Sequence, residues 1–326
     1  MPGMISFMRQ SYPGKPTFTE QDIPDLTAKV ALVTGSNTGL GKELAQILYA
    51  KNATVYMMAR SESKTRSAME SIRAAHPNSQ GQLVYIALDL SDLHKVKQAA
   101  QEFLARESQL HYLFNNAGVG YPAAGSKSKQ GYELQLGVNC IGTFALTKLL
   151  SPALVAAARA VPQRASVRVV WMSSSAAEGI SPDNFVENLP TIEKRSSMDQ
   201  YFISKLGTYL YATEYAQRHQ QDGIVSIPIN PGNLDSDLWR TQGAVVSCIL
   251  RKTLLHPPIY GAYTASFAAF SSKVTMEKSG TFIAPWGKFW DLPKNVLDLT
   301  KTPSHGGNGT ARKFWEWSEE QIKPYL

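Results

Sequence analysis

A tyrosine and a lysine four residues apart are the side chains whose chemistry is clearest in this sequence. Tyr201 and Lys205 lie in a segment with helical spacing, residues 200–220, so they share one face of a helix, one turn apart. A phenol with a pKa of about 10 is a poor base at neutral pH, and a neighbouring ammonium lowers that pKa because it stabilises the phenolate. The pair could therefore exchange a proton with a substrate oxygen. The spacing alone is weak evidence, since many helices place Tyr and Lys this way by chance.

Hydroxyl and amide side chains stand near the ends of other apolar segments. Ser173, Ser174 and Ser175 follow residues 167–172, and one of these hydroxyls could donate to a carbonyl oxygen. The run Asn115, Asn116, Ala117 and Gly118 closes residues 111–115, and Asn139 lies in a long apolar helical segment. Each has a local alternative, because Ser runs and Asn–Gly runs form turns and an Asn inside a helix can bond locally.

A glycine-rich loop follows the first apolar segment, residues 29–34, and opens into a helical one. The loop comprises Thr34, Gly35, Ser36, Asn37, Thr38, Gly39, Leu40 and Gly41. Glycines let the backbone turn tightly and approach a pyrophosphate, while the helix N-terminus offers free N–H groups and the positive end of its dipole. The alternative is a glycine-rich turn without a ligand. The strand–loop–helix context favours the phosphate site.

The tip of the second strand indicates which dinucleotide binds. A carboxylate there hydrogen-bonds the ribose 2′-hydroxyl of NAD, whereas an arginine accommodates the 2′-phosphate of NADP. This chain has Arg60 at that position and no acid. Lys42 and the side chains of Ser36 and Asn37 are further candidates near the phosphate. The alternative for Arg60 is a solvated surface arginine, and the missing acid favours NADP(H).

Asp89, with Leu90 beside it, follows the third apolar segment. The Asp89 carboxylate could accept a hydrogen bond from the adenine amino group. It could equally cap the helix that follows, together with Ser91. Both interpretations stay open on sequence alone.

The elements that must position these residues alternate between strand and helix. The strands are expected at residues 29–34, 53–58, 82–88, 111–115, 167–172 and 224–229. The helices are expected at residues 40–51, 61–76, 92–107, 130–160 (bent at Pro152) and 200–220. This alternation predicts an α/β Rossmann fold, with helices on both faces of a parallel sheet. Ligands of such sheets bind at the carboxyl ends of the strands, where the loops singled out above lie.

Composition narrows the function class. The chain has 326 residues, 43% of them hydrophobic, which suits one large domain. Its net charge of +7 is scattered rather than gathered into a run, so we expect no nucleic-acid partner. Cys140 and Cys248 lack metal-like spacing, which predicts free thiols, no metal site and a reducing, cytoplasmic location. We expect no signal peptide and no integral membrane segment, since the apolar stretch around Cys248 is too short to span a bilayer.

Taken in order along the chain, these motifs resemble those of the short-chain dehydrogenase/reductase family. They are T-G-x-x-x-G-x-G at residues 34–41, N-N-A-G at 115–118, Asn139, a Ser ahead of Y-x-x-x-K at 201–205, and P-G at 231–232. The resemblance covers about residues 28–300. Residues 131–142 are similar to those of retinol dehydrogenase-like and fungal members, and residues 313–326 to those of fungal members that often serve secondary metabolism. The resemblance implies a single, doubly wound domain with a mostly seven-stranded parallel sheet.

The resemblance also implies a role for each motif residue. Tyr201 would donate the proton in reduction, Lys205 would lower its pKa and hold the nicotinamide ribose, and Ser174 would polarise the substrate oxygen. Ser173 and Ser175 remain alternatives to Ser174. Asn139 would hold a water that links Lys205 to solvent. The cofactor site would be lined by Asn115, Asn116, Ala117, Gly118, Pro231, Gly232, Leu234 and Ser236, with Ser236 replacing the Thr that is common in the family.

The resemblance implies reversible hydride transfer between NADP(H) and a carbonyl or secondary alcohol. Residues 1–27 are predicted to form an arm on the surface of the domain at 28–326, and residues 234–258 a substrate lid whose side chains favour an apolar small molecule. The longer interval at residues 180–198 predicts a loop beside the pocket. A homodimer or homotetramer would be typical. A redox-neutral epimerisation or cyclisation, and a non-catalytic NADP(H)-sensing regulator, are the alternatives.

Overall fold

The fold is built around one twisted sheet whose strands run mostly parallel. The computed structural model describes residues 2–160, 165–180, 183–236, 251 and 253–326. The sheet contains β1 (Val30–Thr34), β2 (Thr54–Ala59), β3 (Gln82–Ala87), β4 (Tyr112–Asn115), β5 (Val167–Met172), β6 (Ile224–Ile229), β7 (Ile283–Ala284) and β8 (Lys288–Phe289). The strand order is β3-β2-β1-β4-β5-β6-β7-β8. The direction of strand order reverses at β1, so the loops after β1 and β4 flank the crevice where ligands of such sheets bind.

Helices cover both faces of this sheet. They are α1 (Pro2–Ser11), α2 (Gly39–Ala50), α3 (Glu62–Ala75), α4 (Leu93–Leu104), a π-helix (Leu136–Gly142) that continues into α5 (Thr143–Ala160), α6 (Ser197–Arg218), α7 (Pro258–Phe270), α8 (Lys294–Leu297) and α9 (Thr310–Ile322). Successive residues of a strand point to opposite faces. In β1, Leu32 joins the core under α4, α5, α6 and α9, whereas Val33 joins the core under α2, α3 and α7.

The α/β, doubly wound Rossmann fold expected from the sequence is confirmed. The sheet has eight strands rather than seven, because the two-residue strand β8 pairs antiparallel with β7 at the edge. The expected helix at residues 130–160 begins later than predicted. Residues 130–133 form a turn and a short bridge in which Lys127 pairs with Glu133. The helical backbone then starts at Leu134 and becomes a π-helix at Leu136.

The interval at residues 180–198 is more ordered than a bare loop. Its described part contains a 3-10 helix, Leu189–Lys194, and buries Phe185, Leu189 and Ile192 in the same core as α6. Of the expected lid at residues 234–258, positions 237–250 and 252 lie outside the described residues.

Among the described residues, one helix has the length and apolar composition of a membrane span. It is the run Leu136–Ala160, and 67% of its most apolar window is buried within the molecule. Side chains of this run such as Phe144 and Leu150 are fully buried in the core against the sheet. Its apolar composition is therefore accounted for by packing inside the domain.

Candidate active site

Tyr201 and Lys205 lie one turn apart on α6, beside the carboxyl end of β5. Both side chains are nearly inaccessible, with 7% and 8% of their surface exposed. The Lys205 Nζ atom donates to the Met172 carbonyl at 2.8 Å and lies 5.6 Å from the centroid of the Tyr201 ring. The last residue of β5 thus fixes where the ammonium sits, and the ammonium in turn lies over the phenol ring.

Burial governs the proton affinity of both groups. It raises the pKa of Tyr201, the negative charge of a Tyr121 phenolate would raise it further, and a hydrogen bond with the Ser174 side chain lowers it. Burial lowers the pKa of Lys205 to about 8. Desolvation of the phenolate outweighs the contact that favours it, and the lowering of the Tyr201 pKa by Lys205 stays a prediction. The phenol is protonated at neutral pH, as it is at its ordinary pKa of about 10, and this is the form that can donate.

The structure separates the three serines that follow β5. The Ser173 side chain is buried and donates to the Lys205 carbonyl at 2.8 Å, so it fastens β5 to α6. Ser174 is half-buried, its side chain lies beside that of Tyr201, and its hydroxyl accepts from the Ala176 N–H at 3.2 Å as the cap of the 3-10 turn Ser175–Glu178. Ser175 is already inside that turn. Of the three, Ser174 is the hydroxyl that stands beside the phenol.

Asn139, in the π-helix, hydrogen-bonds the backbone of the loop that follows β4. Its Oδ1 accepts from the Val119 N–H at 2.8 Å, and its Nδ2 donates to the Val119 carbonyl at 2.9 Å and to the Ser204 hydroxyl at 3.0 Å. Gly118 fits closely here, since a Cβ atom on it would lie 3.1 Å from Asn139 Oδ1 and 3.6 Å from Lys205 Nζ. The Asn139 side chain therefore positions backbone, and the water relay expected from it stays a prediction.

The loop after β1 is braced by the loop after β4. Asn116 Nδ2 donates to the Thr34 carbonyl at 2.7 Å and to the Gly35 carbonyl at 3.3 Å, while the Thr34 hydroxyl accepts from the Asn116 and Ala117 N–H groups. Gly41 packs so closely against the loop that a side chain would not fit, because a Cβ atom there would lie 2.3 Å from the Gly35 carbonyl oxygen. Asn115, by contrast, is turned away into the core, where it donates to Thr147 at 2.9 Å.

This loop fits the phosphates of a dinucleotide. The Ser36 hydroxyl is fully buried and has no hydrogen-bond partner among the described residues, although buried hydroxyls normally have one. Gly39 begins α2 with a φ of +52°, a conformation that favours glycine. Thr38 is the N-cap of α2, and Asn37, Leu40 and Lys42 belong to the same strand–loop–helix unit. Free N–H groups and the positive end of the α2 dipole thus both lie at the N-terminus of α2, where an anionic phosphate would bind.

Arg60 lies at the tip of β2, next to this loop. The Gly35 N–H donates to the Met58 carbonyl at 2.7 Å, which ties the loop to the strand that ends one residue before Arg60. The Arg60 side chain is exposed, and within the described parts of the chain it has no ion pair. Ser61 caps α3, so the backbone direction at Arg60 is fixed by its neighbours.

Asp89 holds its own loop, and a different residue caps the next helix. The Asp89 carboxylate accepts from the Ser91 N–H at 3.0 Å and from the Ser91 hydroxyl at 2.6 Å. Asp92 is the N-cap of α4 and accepts from the His94 N–H at 3.0 Å. The capping role considered for Asp89 with Ser91 is therefore wrong. The Leu90 side chain is buried, and its carbonyl faces Gly142 of the π-helix.

The residues after β6 lie at the same end of the sheet as the loops after β1, β4 and β5. Gly232 has a φ of +93° and lies against Trp286, whose Cη2 would be 2.8 Å from a Cβ atom on Gly232. Ser236 approaches the phosphate loop, since its Cβ would be 3.7 Å from one on Gly39. The buried Leu234 side chain and the Pro231 carbonyl border Gly261 of α7. The Leu234 side chain thus packs into the domain, and its contact with a cofactor stays a prediction.

Tyr121 is a site residue that the sequence motifs did not indicate. Its ring lies 5.0 Å from that of Tyr201, centroid to centroid, and its φ is +52°, which is unusual for an aromatic residue. Its N–H donates to Gln135 Oε1 at 3.1 Å, and the buried Gln135 holds α6 through the Ser197 carbonyl. Its position three residues after the N-N-A-G motif was the available signal, but the spacing did not reveal the contact between the two tilted rings.

Comparison with known proteins agrees with this geometry. A family model described as short chain dehydrogenase matches residues 29–247. The chain belongs to the short-chain dehydrogenase family. This short-chain dehydrogenase is 48% identical to a short-chain dehydrogenase/reductase of Phomopsis amygdali, over 97% of this chain and 96% of the relative. It is 44% identical to one of Neocamarosporium betae, over 98% of this chain and 94% of the relative.

Solved structures support the fold of this short-chain dehydrogenase. A putative uncharacterized protein from Mycobacterium paratuberculosis has a TM-score of 0.68 at 24% identity and covers 94% of this chain and 97% of its own. Pseudomonas aeruginosa RhlG, solved as an NADP active-site complex, has a TM-score of 0.63 at 22% identity and covers 83% and 97%. Membership of the family makes the chain an oxidoreductase that binds a nicotinamide cofactor and acts on a small molecule.

Proposed function

We propose that the protein is an NADP(H)-dependent reductase/dehydrogenase that interconverts a carbonyl and a secondary alcohol on an apolar small molecule. The observation that carries this proposal is the cluster at the end of β5, where the half-buried Ser174 side chain lies beside the buried Tyr201 and Lys205 lies over the same phenol ring. Such a cluster offers a proton and a hydrogen-bond donor to one substrate oxygen. Those are the two interactions that a carbonyl needs as it becomes an alcohol.

When bound, the nicotinamide supplies or accepts the hydride. During reduction the Tyr201 hydroxyl donates its proton to the substrate oxygen, and Ser174 donates a hydrogen bond to the same oxygen. Lys205 stabilises the phenolate that remains, because its ammonium lies against the ring in a poorly solvated place. The phenol recovers its proton before the next turnover, and oxidation of the alcohol runs these steps backwards.

The proposed cofactor is NADP(H). Arg60 presents a planar guanidinium with several donors at the tip of β2, and it has no competing ion-pair partner in the described parts of the chain. An acid at this tip would repel a 2′-phosphate, and this chain has none there. Two of the solved structures with the same fold are NADP complexes, those of RhlG and of a short chain dehydrogenase from Shigella flexneri.

We further propose a cytoplasmic enzyme of fungal secondary metabolism that assembles as a dimer or tetramer. The support is the resemblance of residues 313–326 to fungal members and the fungal origin of the most similar relatives reported above. A redox-neutral epimerisation or cyclisation would use the same proton chemistry, so net consumption of NADPH distinguishes it. A non-catalytic regulator has no need of the Tyr201–Lys205 pair.

The deciding experiment measures loss of NADPH absorbance by the purified full chain with a panel of apolar ketones and aldehydes. We expect turnover by the wild type and a loss of about a hundredfold or more in kcat for Tyr201→Phe, since the proton donor is removed. NADPH affinity should stay within about threefold, because most of the cofactor is held elsewhere. Tyr132→Phe, which removes a hydroxyl bonded to Gln321, is the matched control. Full activity of Tyr201→Phe would refute the assignment.

A further inference from the structure

The first helix reaches the two loops that carry the proposed chemistry. Gln10, near the C-terminal end of α1, is only 2% exposed. Its Nε2 donates to Glu178 Oε1 at 2.7 Å, and its Oε1 accepts from Asn230 Nδ2 at 2.9 Å. Glu178 lies four residues after Ser174, and Asn230 immediately precedes Pro231. One side chain from the start of the chain therefore bridges the serine loop and the loop after β6.

Neighbouring residues of the helix strengthen both ends of this bridge. The Ser6 hydroxyl donates to Glu178 Oε2 at 2.7 Å and accepts from Gln10 Nε2 at 3.1 Å, so each carboxylate oxygen has a donor. The Ser11 hydroxyl accepts from Asn233 Nδ2 at 3.0 Å. The outward face of α1 carries the exposed Ile5 and Met8, which take no part in these contacts.

The bridge is costly to break because its groups are removed from water. A buried amide needs partners for both its donor and its acceptor, and a hydrogen bond to a carboxylate is stronger than a neutral one. Asn230 also accepts, through Oδ1, from the Gly232 N–H at 3.0 Å. Gln10, Asn230 and Gly232 thus form a chain of hydrogen bonds that reaches the Pro231–Gly232 turn. A shift of the Gln10 side chain would therefore displace both Glu178 and the Asn230–Gly232 pair.

We propose that Gln10 is a positioning residue, which holds the serine loop in register with the Pro231–Gly232 turn and thereby sets the geometry between Ser174 and the nicotinamide. This inference rests on the proposed function, because it assigns the nicotinamide to that turn. The residues 1–27 that the sequence predicts as a surface arm would accordingly contribute to the catalytic architecture rather than only cover it.

The link itself can be tested without a substrate, by amide hydrogen exchange on the full chain. The reporters are the Gly179 N–H, which bonds the Ala176 carbonyl in the serine loop, and the Gly232 N–H. Gln10→Glu places a second carboxylate against Glu178, so we expect about tenfold faster exchange at both reporters, as for a lost charged hydrogen bond. Ile5→Ala, on the outward face of α1, should leave both unchanged. Unchanged exchange in Gln10→Glu overturns the proposal.

The positioning role is tested by kinetics and by a swap. Gln10→Glu should lower kcat about tenfold or more, since small misplacements of reacting groups are costly, with NADPH affinity changed by less than about threefold. Gln10→Glu combined with Glu178→Gln should restore kcat. The amide at position 178 then donates to the carboxylate at position 10, whose second oxygen still accepts from Asn230. A purely structural role would lower the melting temperature without this loss and recovery of kcat.

The two tests fail separately. If the wild type turns over no carbonyl, the proposed function fails, and the exchange rates still decide whether Gln10 couples the two loops. If the wild type is active and Gln10→Glu speeds exchange while kcat stays unchanged, the positioning role is overturned. If the swapped variant stays as impaired as Gln10→Glu, the pairing with Glu178 is refuted.

Discussion

At the scale of single residues, Lys205 combines a buried charge with a role in proton chemistry. Burial lowers its pKa to about 8 from an ordinary value of 10.5, so between these values the unfolded chain binds a proton that the folded chain releases. The free energy of unfolding should therefore rise with pH in this window, by at most about 1.4 kcal/mol per pH unit. Below pH 8 the lysine is protonated in both states, and the full cost of burying the ammonium is present.

The comparison of wild type with Lys205→Met isolates this contribution. Urea unfolding from pH 7.5 to 9.5 should show the difference in unfolding free energy shifting in favour of the wild type as pH rises. The upper limit matters because burial raises the pKa of tyrosines such as Tyr201 and Tyr215, which act in the opposite direction above about pH 10. A difference that is flat across the window would show that the Lys205 ammonium is not desolvated as the structure indicates.

Arg60 is tested by the difference between two cofactors. Arg60→Ala should weaken NADPH binding about tenfold to a hundredfold, the value of a lost charge-assisted contact, and leave NADH nearly unchanged. Dissociation constants from nicotinamide fluorescence supply the measurement. Arg66→Ala is the matched control, because Arg66 is an exposed arginine of α3 that pairs with Glu62. Equal losses for NADPH and NADH would remove the 2′-phosphate role.

Much of the candidate site could be predicted from the residue types near the ends of strands and on α6. The directions in which the side chains point could not be predicted. The sequence singled out Tyr201, Lys205 and Ser174, which the structure brings together. It could not tell that Asn115 turns into the core while Asn116 braces the phosphate loop, because successive residues point to opposite sides. The contacts of Gln10 with Glu178 and Asn230 span 168 and 220 positions, and no local pattern encodes such a separation.

At the scale of elements, periodicity located the strands β1 to β6 and the helices α2 to α6 within a few residues, and it did not locate α1, α7, α8 or α9. The π-helix Leu136–Gly142 escaped it, since apolar spacing at helical period does not distinguish i to i+4 from i to i+5 hydrogen bonding. The short strands β7 and β8 were not predicted either, because two-residue strands carry no alternation to detect. The apolar pattern of the sequence thus does not predict irregular backbone, such as the π-helix and the two short strands, because tertiary contacts determine it.

The π-helix approaches the segment after β3 closely at Gly142. Because of this contact, Gly142→Ala should change the unfolding free energy in the direction opposite to that expected from helix propensity. A Cβ atom on Gly142 would lie 2.1 Å from the Leu90 carbonyl oxygen, and backbone cannot easily move away. Helix propensity alone predicts that Gly142→Ala stabilises by about 1 kcal/mol. The clash predicts a net loss of about 2 kcal/mol in unfolding free energy, measured in urea.

Ala156→Gly in α5 supplies the control for that test. Ala156 is half-buried in the same long helix, and its replacement should cost about 1 kcal/mol through propensity. The two substitutions are chemically opposite, yet both should destabilise. A gain of stability in Gly142→Ala would contradict the packing of the π-helix on Leu90.

At the scale of the whole molecule, the last helix belongs to the same core as the catalytic helix. The family model ends at residue 247, but α9 buries Phe314 completely and lays its ring on Tyr211 of α6, with centroids 4.5 Å apart. Phe314 also meets Phe185 edge-on at 5.1 Å, from the interval that was expected to be a loop. Three stretches far apart in sequence thus close one core behind Tyr201 and Lys205.

Phe314→Ala should therefore destabilise the entire domain rather than fray its end. Removing a fully buried phenylalanine costs about 3–5 kcal/mol through lost burial and the cavity that remains. Urea unfolding followed by tryptophan fluorescence and by circular dichroism should give one shared transition, displaced to lower urea. Lys313→Ala, one residue earlier on the exposed side of α9, should leave the midpoint unchanged. Two separate transitions in Phe314→Ala would mean that α9 unfolds independently, and the helix would then be a peripheral addition to a domain complete without it.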